Sequence, residues 1–126
     1  MQLTVLIVED EAETRELTAE IFQARQFNVL VAESVTEAAK VLQTKKPSMI
    51  LLDIAMPGGD GHGLLRQIKG NPETSKIPVV LVTGSPRDAF PEDASLALAV
   101  FRKPFDVAKL ARLVQTFCDR MAANKA

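Results

Sequence analysis

The sequence predicts an α/β fold, a three-layer α/β/α sandwich around a five-stranded parallel sheet. If the chain runs from the first strand to the second and then returns to place the third on the other side of the first, the strand order is 2-1-3-4-5. Two observations support this prediction. Strand-like and helix-like patterns alternate five times along the 126 residues. The strand-like segments are nearly continuous apolar runs, which is typical of parallel strands covered by helices on both faces. The length fits one domain, which we place at residues 1–122, with 123–126 as a short C-terminal tail.

The predicted strands are short and separated by regular helical segments. They lie at Leu3–Val8, Asn28–Ala32, Met49–Asp53, Val79–Val82 and Ala99–Arg102. Helices are predicted at 12–25, 35–45, 61–69 and roughly 106–122, because apolar residues recur there at helical spacing. In the first helix, Leu17, Ile21 and Ala24 form the stripe expected to face the sheet.

Caps and breakers delimit these helices. Ser34 and Asp60 precede the second and third helices and are candidate N-caps. Pro86 and Pro91 interrupt the region before the fifth strand, and proline is not tolerated inside a helix. We therefore expect a short or broken helix between the fourth and fifth strands.

Composition excludes several classes of protein. The formal net charge is −1, so we expect no direct nucleic-acid partner, and the apolar stretches are far too short to span a bilayer. The start of the chain lacks the basic segment of a signal peptide. Cys118 is the only cysteine, so no intrachain disulfide can form, and we expect a buried inert thiol. These features favour a cytoplasmic protein.

Polar side chains follow four of the predicted strands at the point where each ends. Glu9 and Asp10 follow the first strand, Asp53 ends the third, Thr83 follows the fourth and Lys103 follows the fifth. The carboxyl ends of parallel strands meet at one edge of a sheet, where open α/β folds bind ligands. Three carboxylates, a hydroxyl and a lysine at this edge indicate a site for a divalent metal and a phosphoryl group.

The chemistry of these residue types suits phosphoryl transfer. Magnesium takes oxygen ligands, typically one or two carboxylates with several waters, so Asp10 and Asp53 can bind directly and Glu9 directly or through water. Without metal, three carboxylates this close repel and raise at least one pKa. Asp53 is the candidate nucleophile, since an aspartate can attack phosphorus to form an aspartyl phosphate. Lys103 and Thr83 can neutralise or hydrogen-bond phosphoryl oxygens.

Taken together, these motifs resemble the receiver domain of two-component response regulators. The residues that carry the resemblance are Glu9-Asp10, Asp53-Ile54-Ala55-Met56-Pro57 with Asp60-Gly61, Val82-Thr83-Gly84 and Lys103-Pro104-Phe105. The resemblance covers essentially the whole chain. Each motif alone is weak, but jointly they are highly specific.

The resemblance implies a role for each site residue. Asp53 is the acceptor of a phosphoryl group from a histidine kinase or a histidine phosphotransfer protein. Asp10, Asp53 and the backbone carbonyl of Ala55 bind Mg²⁺ or Mn²⁺, and Glu9 acts through water. Thr83 and Lys103 contact the phosphoryl group. The phosphorylated protein is expected to change its affinity for a downstream protein target that the sequence does not name.

The chain departs from the family pattern near the fifth strand. Receivers commonly carry Tyr or Phe three residues before the lysine, where this chain has Val100. Phe101, the next residue, is expected to point to the opposite face of the strand. The phosphorylation site is thus predicted to be intact, and we hypothesise that any output through this face uses a loop or helix rearrangement without a swinging aromatic.

Two alternatives accompany the receiver hypothesis. The chain could be a receiver-like binding module that is never phosphorylated, or a magnesium-dependent aspartyl-phosphate phosphatase. Haloacid-dehalogenase-like phosphatases carry a second Asp two residues after the nucleophile, where this chain has Ala55. We therefore expect a phosphoacceptor that promotes its own phosphorylation and dephosphorylation without being a turnover enzyme. It resembles a stand-alone regulator, and the alternative is a receiver that belongs to a longer regulator or hybrid kinase. The only histidine, His62, is expected to be exposed and without a role in the chemistry.

Overall fold

The computed structural model describes residues 3–54, 56, 61–84, 95–104 and 106–124. Some expectations fall outside these ranges. They are the short or broken helix around Pro86 and Pro91, the N-cap role of Asp60 and the carbonyl of Ala55.

The strands form one parallel sheet in the predicted order, β2-β1-β3-β4-β5. The strands are β1 (Thr4–Val8), β2 (Asn28–Ala32), β3 (Met49–Asp53), β4 (Val79–Thr83) and β5 (Ala99–Arg102). β1 is flanked by the next two strands, with Val8 paired to Ala32 of β2 and to Leu52 of β3. The chain therefore changes direction across the sheet between β1 and β3, and this switch point is where such sheets bind ligands.

Helices cover both faces of the sheet, which confirms the three-layer sandwich. They are α1 (Ala12–Gln23), α2 (Val35–Thr44), α3 (Gly61–Gly70) and α4 (Val107–Asn124). Alternate residues of β1 divide the core: Leu6 and Val8 belong to the cluster with α2 and α3, whereas Val5 and Ile7 belong to the cluster with α1 and α4. Both faces of the central strands are thus buried, as the continuous apolar runs predicted. Within the described residues, no helix combines the length and apolar character needed to cross a membrane.

The first helix buries a different stripe from the predicted one. Leu17 is 44% exposed and Ala24 is the exposed C-cap, while Thr18, Ile21 and Phe22 are buried. Thr18 can be buried because its hydroxyl donates a 2.7 Å hydrogen bond to the carbonyl of Thr14, one turn earlier. The prediction was confirmed for Ile21 but wrong for Leu17 and Ala24, because α1 is rotated about its axis so that Thr18 and Phe22 face the core instead.

Two other local predictions are confirmed. The Ser34 hydroxyl caps α2 by accepting a 3.1 Å hydrogen bond from the backbone N–H of Glu37. On β5, Phe101 packs in the cluster with α1 and α4, whereas Val100 is 39% exposed on the other face. The single aromatic residue of β5 therefore points away from the position that carries an aromatic in many receivers.

Candidate functional site

The carboxyl edge of the sheet gathers the predicted polar residues. Glu9 follows β1, and its backbone N–H donates to the carbonyl of Ala32, which ends β2. Asp53 and Thr83 are the last residues of β3 and β4 and are both buried. Lys103 follows β5, where its backbone N–H donates a 2.7 Å hydrogen bond to the carbonyl of Thr83. The lysine backbone is thereby held to β4 as its side chain reaches across the edge.

Lys103 is the centre of the charge network at this edge. Its ammonium Nζ lies 2.7 Å from Oε1 of Glu9 and 2.8 Å from Oδ2 of Asp53. Residues from β1, β3 and β5 are thus joined by one cation. Burial alone would lower the pKa of Lys103, but the bonds and charges of Asp53 and Glu9 outweigh it and raise the pKa above its ordinary value.

Glu9 is the most perturbed carboxylate of the site. Its pKa is raised from 4.5 to about 7, chiefly because burial disfavours the charged form. The hydrogen bond from Lys103 opposes this rise, and the negative charge of Asp53 adds to it. The expectation that crowding without metal raises at least one pKa is confirmed, although burial contributes more than repulsion. Oε2 of Glu9 also accepts a 3.2 Å hydrogen bond from the backbone N–H of Glu11.

The three acids can together hold a cation. One carboxylate oxygen each from Glu9, Asp10 and Asp53 lies within 4.8 Å of the others, with Asp10 exposed and the other two buried. This all-oxygen donor set, open to solvent at one member, suits Mg²⁺, which prefers carboxylates and retained waters. The residues therefore fit the metal that the sequence predicts.

The other residues considered in the sequence, Thr83, His62 and Cys118, differ in how deeply they are buried. Thr83 is 3% exposed at the end of β4, one strand away from Asp53. The expectation of an exposed His62 is wrong, because this residue is half-buried in the first turn of α3. Cys118 is also only half-buried, and burial raises the pKa of its thiol, which is the property of an unreactive cysteine.

Sequence reasoning missed one residue beside the site. Arg15 lies outside the apolar stripe predicted for the first helix, so the sequence gives it no role. Its guanidinium Nη1 instead donates hydrogen bonds to the backbone carbonyls of Glu9 and Asp10. Backbone carbonyls are present at every residue, so the sequence carries no signal for this contact.

The family can now be identified by comparison with known proteins. The family model of the response regulator receiver domain matches residues 5–115, which is most of the chain and includes every strand residue except Thr4. The chain belongs to this receiver family. Receivers are signalling domains of two-component systems rather than turnover enzymes, and they bind Mg²⁺ at an acidic pocket that the cluster of Glu9, Asp10 and Asp53 matches.

Individual relatives agree with this assignment. This receiver is 29% identical to sporulation initiation phosphotransferase F of Bacillus subtilis, over 93% of this chain and 94% of the relative. It is 39% identical, over 64% of its residues, to the phosphate regulon transcriptional regulatory protein PhoB of Pseudomonas aeruginosa. That match spans about a third of the length of PhoB, 35%.

A solved structure shows the same fold. The signal receiver domain of a DNA-binding response regulator from Colwellia psychrerythraea superposes with a TM-score of 0.82 at 25% identity. The match covers 94% of this chain and 99% of that one.

Proposed function

We propose that this receiver accepts a phosphoryl group on Asp53 from the phosphohistidine of a histidine kinase or histidine phosphotransfer protein, in a Mg²⁺-dependent reaction. The observation that carries the proposal is the position of Lys103, whose Nζ lies 2.8 Å from Asp53 and 2.7 Å from Glu9. It provides a cation beside the candidate acceptor, and an acidic cluster surrounds the same carboxylate.

The chemical step requires little of the protein beyond positioning and charge. An oxygen of the Asp53 carboxylate forms a bond to phosphorus while the phosphorus–nitrogen bond of the donor breaks. The imidazole keeps the electron pair and leaves as a neutral ring when its other nitrogen carries the proton. Lys103 offers its ammonium, and Thr83 a hydroxyl donor, to the transferred phosphoryl oxygens.

The hydrogen bonds and the exposure of the carboxylates support the proposed metal ligands. Both oxygens of Glu9 already accept hydrogen bonds, from Lys103 and from the N–H of Glu11. Asp10 is exposed at the same cluster. This supports direct ligation by Asp10 and Asp53, with Glu9 acting through water. The family resemblance adds the backbone carbonyl of Ala55 to the proposed ligands. Bound Mg²⁺ supplies positive charge that stabilises the phosphoryl oxygens during transfer.

The same proposal includes the domain bounds, the cellular compartment and a downstream partner. We place the receiver domain at residues 1–122 and its reaction in the cytoplasm. Phosphorylation would change the affinity of the domain for a downstream protein, as expected for a two-state signalling switch. The relatives support this setting, since PhoB is named as a transcriptional regulator and the Bacillus protein as a phosphotransferase.

The test is intact mass after incubation with Mg²⁺ and acetyl phosphate. We expect the mass of one added phosphoryl group in the wild-type protein, and none in Asp53→Asn or with excess chelator. Asp119→Asn is the matched control, because it removes an exposed carboxylate on α4 and should gain the group like the wild type. No adduct on the wild-type protein would favour a binding module that is not phosphorylated. Sustained hydrolysis of p-nitrophenyl phosphate, a phosphate monoester rather than an acyl phosphate, would favour a phosphatase.

A further inference from the structure

The side chain of Arg15 binds two consecutive carbonyl groups in the loop that carries the acidic residues. Its backbone N–H makes the ordinary helical hydrogen bond, 2.9 Å, to the carbonyl of Glu11 four residues earlier. Its side-chain Nη1 donates to the carbonyls of Glu9, at 3.1 Å, and Asp10, at 3.4 Å. The side chain is only 16% exposed although it belongs to the first turns of a surface helix. One residue therefore ties the loop after β1 to α1.

The other end of the guanidinium reaches the neighbouring strand connection. Nη2 lies 3.2 Å from Oε1 of Glu33, in the segment that follows β2. The Glu33 side chain is 63% exposed, so this ion pair adds little stability by itself. It does help to fix the guanidinium plane, and a planar group with several donors can serve carbonyls and a carboxylate together.

The contact with Asp10 bears directly on the carboxylate of Glu9. The carbonyl of Asp10 and the N–H of Glu11 belong to the same planar trans peptide unit, so they point in opposite directions. The carbonyl accepts from Arg15, and the N–H donates to Oε2 of Glu9. A rotation of this unit would break both hydrogen bonds. Lys103 holds Oε1 of Glu9, and Oε2 is held by a rigid peptide unit that Arg15 fixes in turn.

We propose that Arg15 is a positioning residue of the metal site, which fixes the peptide unit between Asp10 and Glu11 and thereby holds the carboxylate of Glu9. The inference rests on the proposed function, because it assigns Arg15 a role at the Mg²⁺ site. Residues that orient metal ligands without touching the metal commonly change metal affinity by about 10-fold or more.

The test is the Mg²⁺ dissociation constant of the unphosphorylated protein, measured by isothermal titration calorimetry. Arg15→Met keeps the aliphatic stem and removes every side-chain donor, and we expect it to weaken Mg²⁺ binding by about 10-fold. Arg120→Met changes an exposed arginine of α4 and is the matched control. Its Mg²⁺ dissociation constant should stay within about 2-fold of wild type. Glu33→Gln removes the ion pair but keeps the carbonyl contacts, so it should lose less than Arg15→Met.

Repeating the Mg²⁺ titration in protein that already carries Glu9→Gln distinguishes a positioning role of Arg15 from a general effect on stability. If Arg15 acts through the Glu9 carboxylate, Arg15→Met should cost less than about 2-fold once Glu9→Gln is already present. In the metal-free protein, the Glu11 amide proton should also move upfield in Arg15→Met, because its hydrogen bond to Glu9 weakens. Equal losses of affinity in both backgrounds would overturn the proposal.

The remaining outcomes are also decisive. A folded Arg15→Met protein that binds Mg²⁺ like wild type overturns the proposal, while uptake of a phosphoryl group by the wild type would leave the proposed function intact. If the wild type bound no Mg²⁺, the proposed function and this inference would both fail. Should Arg15→Met not fold, Arg15→Lys provides the same comparison. Arg15 uses two nitrogens, Nη1 for the carbonyls and Nη2 for Glu33, whereas lysine has one and cannot occupy both positions. A loss of about 3-fold that disappears with Glu9→Gln is therefore expected.

Discussion

The buried carboxylate of Glu9 should make the stability of the metal-free protein depend on pH. Its pKa is about 7 in the folded protein, against 4.5 for an ordinary glutamate. A folded state with a raised pKa holds its proton more tightly than the unfolded chain does. Its contribution to stability is therefore fully present below pH 4.5 and is lost as the pH rises through about 7.

The magnitude follows from the interval between the two pKa values. Each pH unit of that interval corresponds to about 1.4 kcal/mol, so Glu9 should lower the free energy of unfolding by about 3 kcal/mol between pH 4.5 and pH 8. Glu9→Gln cannot ionise and loses this dependence. We expect the difference in unfolding free energy, Glu9→Gln minus wild type, to rise by about 3 kcal/mol over that range.

The assay is urea denaturation followed by far-UV circular dichroism, in the presence of a chelator. The chain has no Trp or Tyr, so intrinsic fluorescence offers no convenient probe. Glu20→Gln, an exposed acid at the other end of α1, is the matched control and should give a difference that does not vary with pH. The reasoning would be refuted if the Glu9→Gln difference were also independent of pH, or if it fell as the pH rose.

Three further substitutions test other parts of the structure by the same denaturation assay. Lys103→Met should destabilise the metal-free protein by about 3 kcal/mol at pH 8, because it leaves two buried carboxylates without their shared cation; unchanged stability would contradict the charge network. Ser34→Ala should cost about 1 kcal/mol by removing the cap of α2, and a loss near zero would show that the cap is not needed. Gly61→Ala should cost about 2 kcal/mol, since the added Cβ would lie 2.6 Å from the Cα of Ile54; Gly70→Ala, which meets nothing within 4 Å, is its control, and equal effects would exclude the clash as the cause.

Sequence patterns predicted the sheet well because its strands are buried on both faces. β3 and β4 are buried at every residue, so each reads as an uninterrupted apolar run with a sharp polar end. The buried face of the helix α1 was harder to predict. In α1, Leu17 fits the helical period yet is 44% exposed, whereas Thr18 is buried. Which side of such a helix is covered depends on its rotation about its axis, and a stripe of three residues does not determine that rotation.

The residues at the carboxyl edge were predictable for a topological reason. In a parallel sheet, the last residue of every strand lies at the same edge, so strand assignment alone brings Glu9, Asp53, Thr83 and Lys103 together. How their charges are shared is a matter of side-chain reach and burial, which spacing in the sequence does not show. One ammonium bridging two buried carboxylates is a property of the folded edge.

The ion pairs of Lys103 also bear on which group of the site changes its protonation when a divalent cation binds. One cation is shared between the carboxylate that follows β1 and the one that ends β3, and its raised pKa keeps it protonated at neutral pH. Glu9, with a pKa of about 7, is the group whose protonation adjusts most easily near neutral pH. A divalent cation bound by Asp10 and Asp53 would add positive charge beside Glu9 and favour its ionised form. Metal binding should therefore release protons between about pH 6 and pH 8, and buffer-dependent calorimetry of Mg²⁺ binding would detect them; a binding enthalpy that is independent of the buffer's ionisation enthalpy would contradict this coupling.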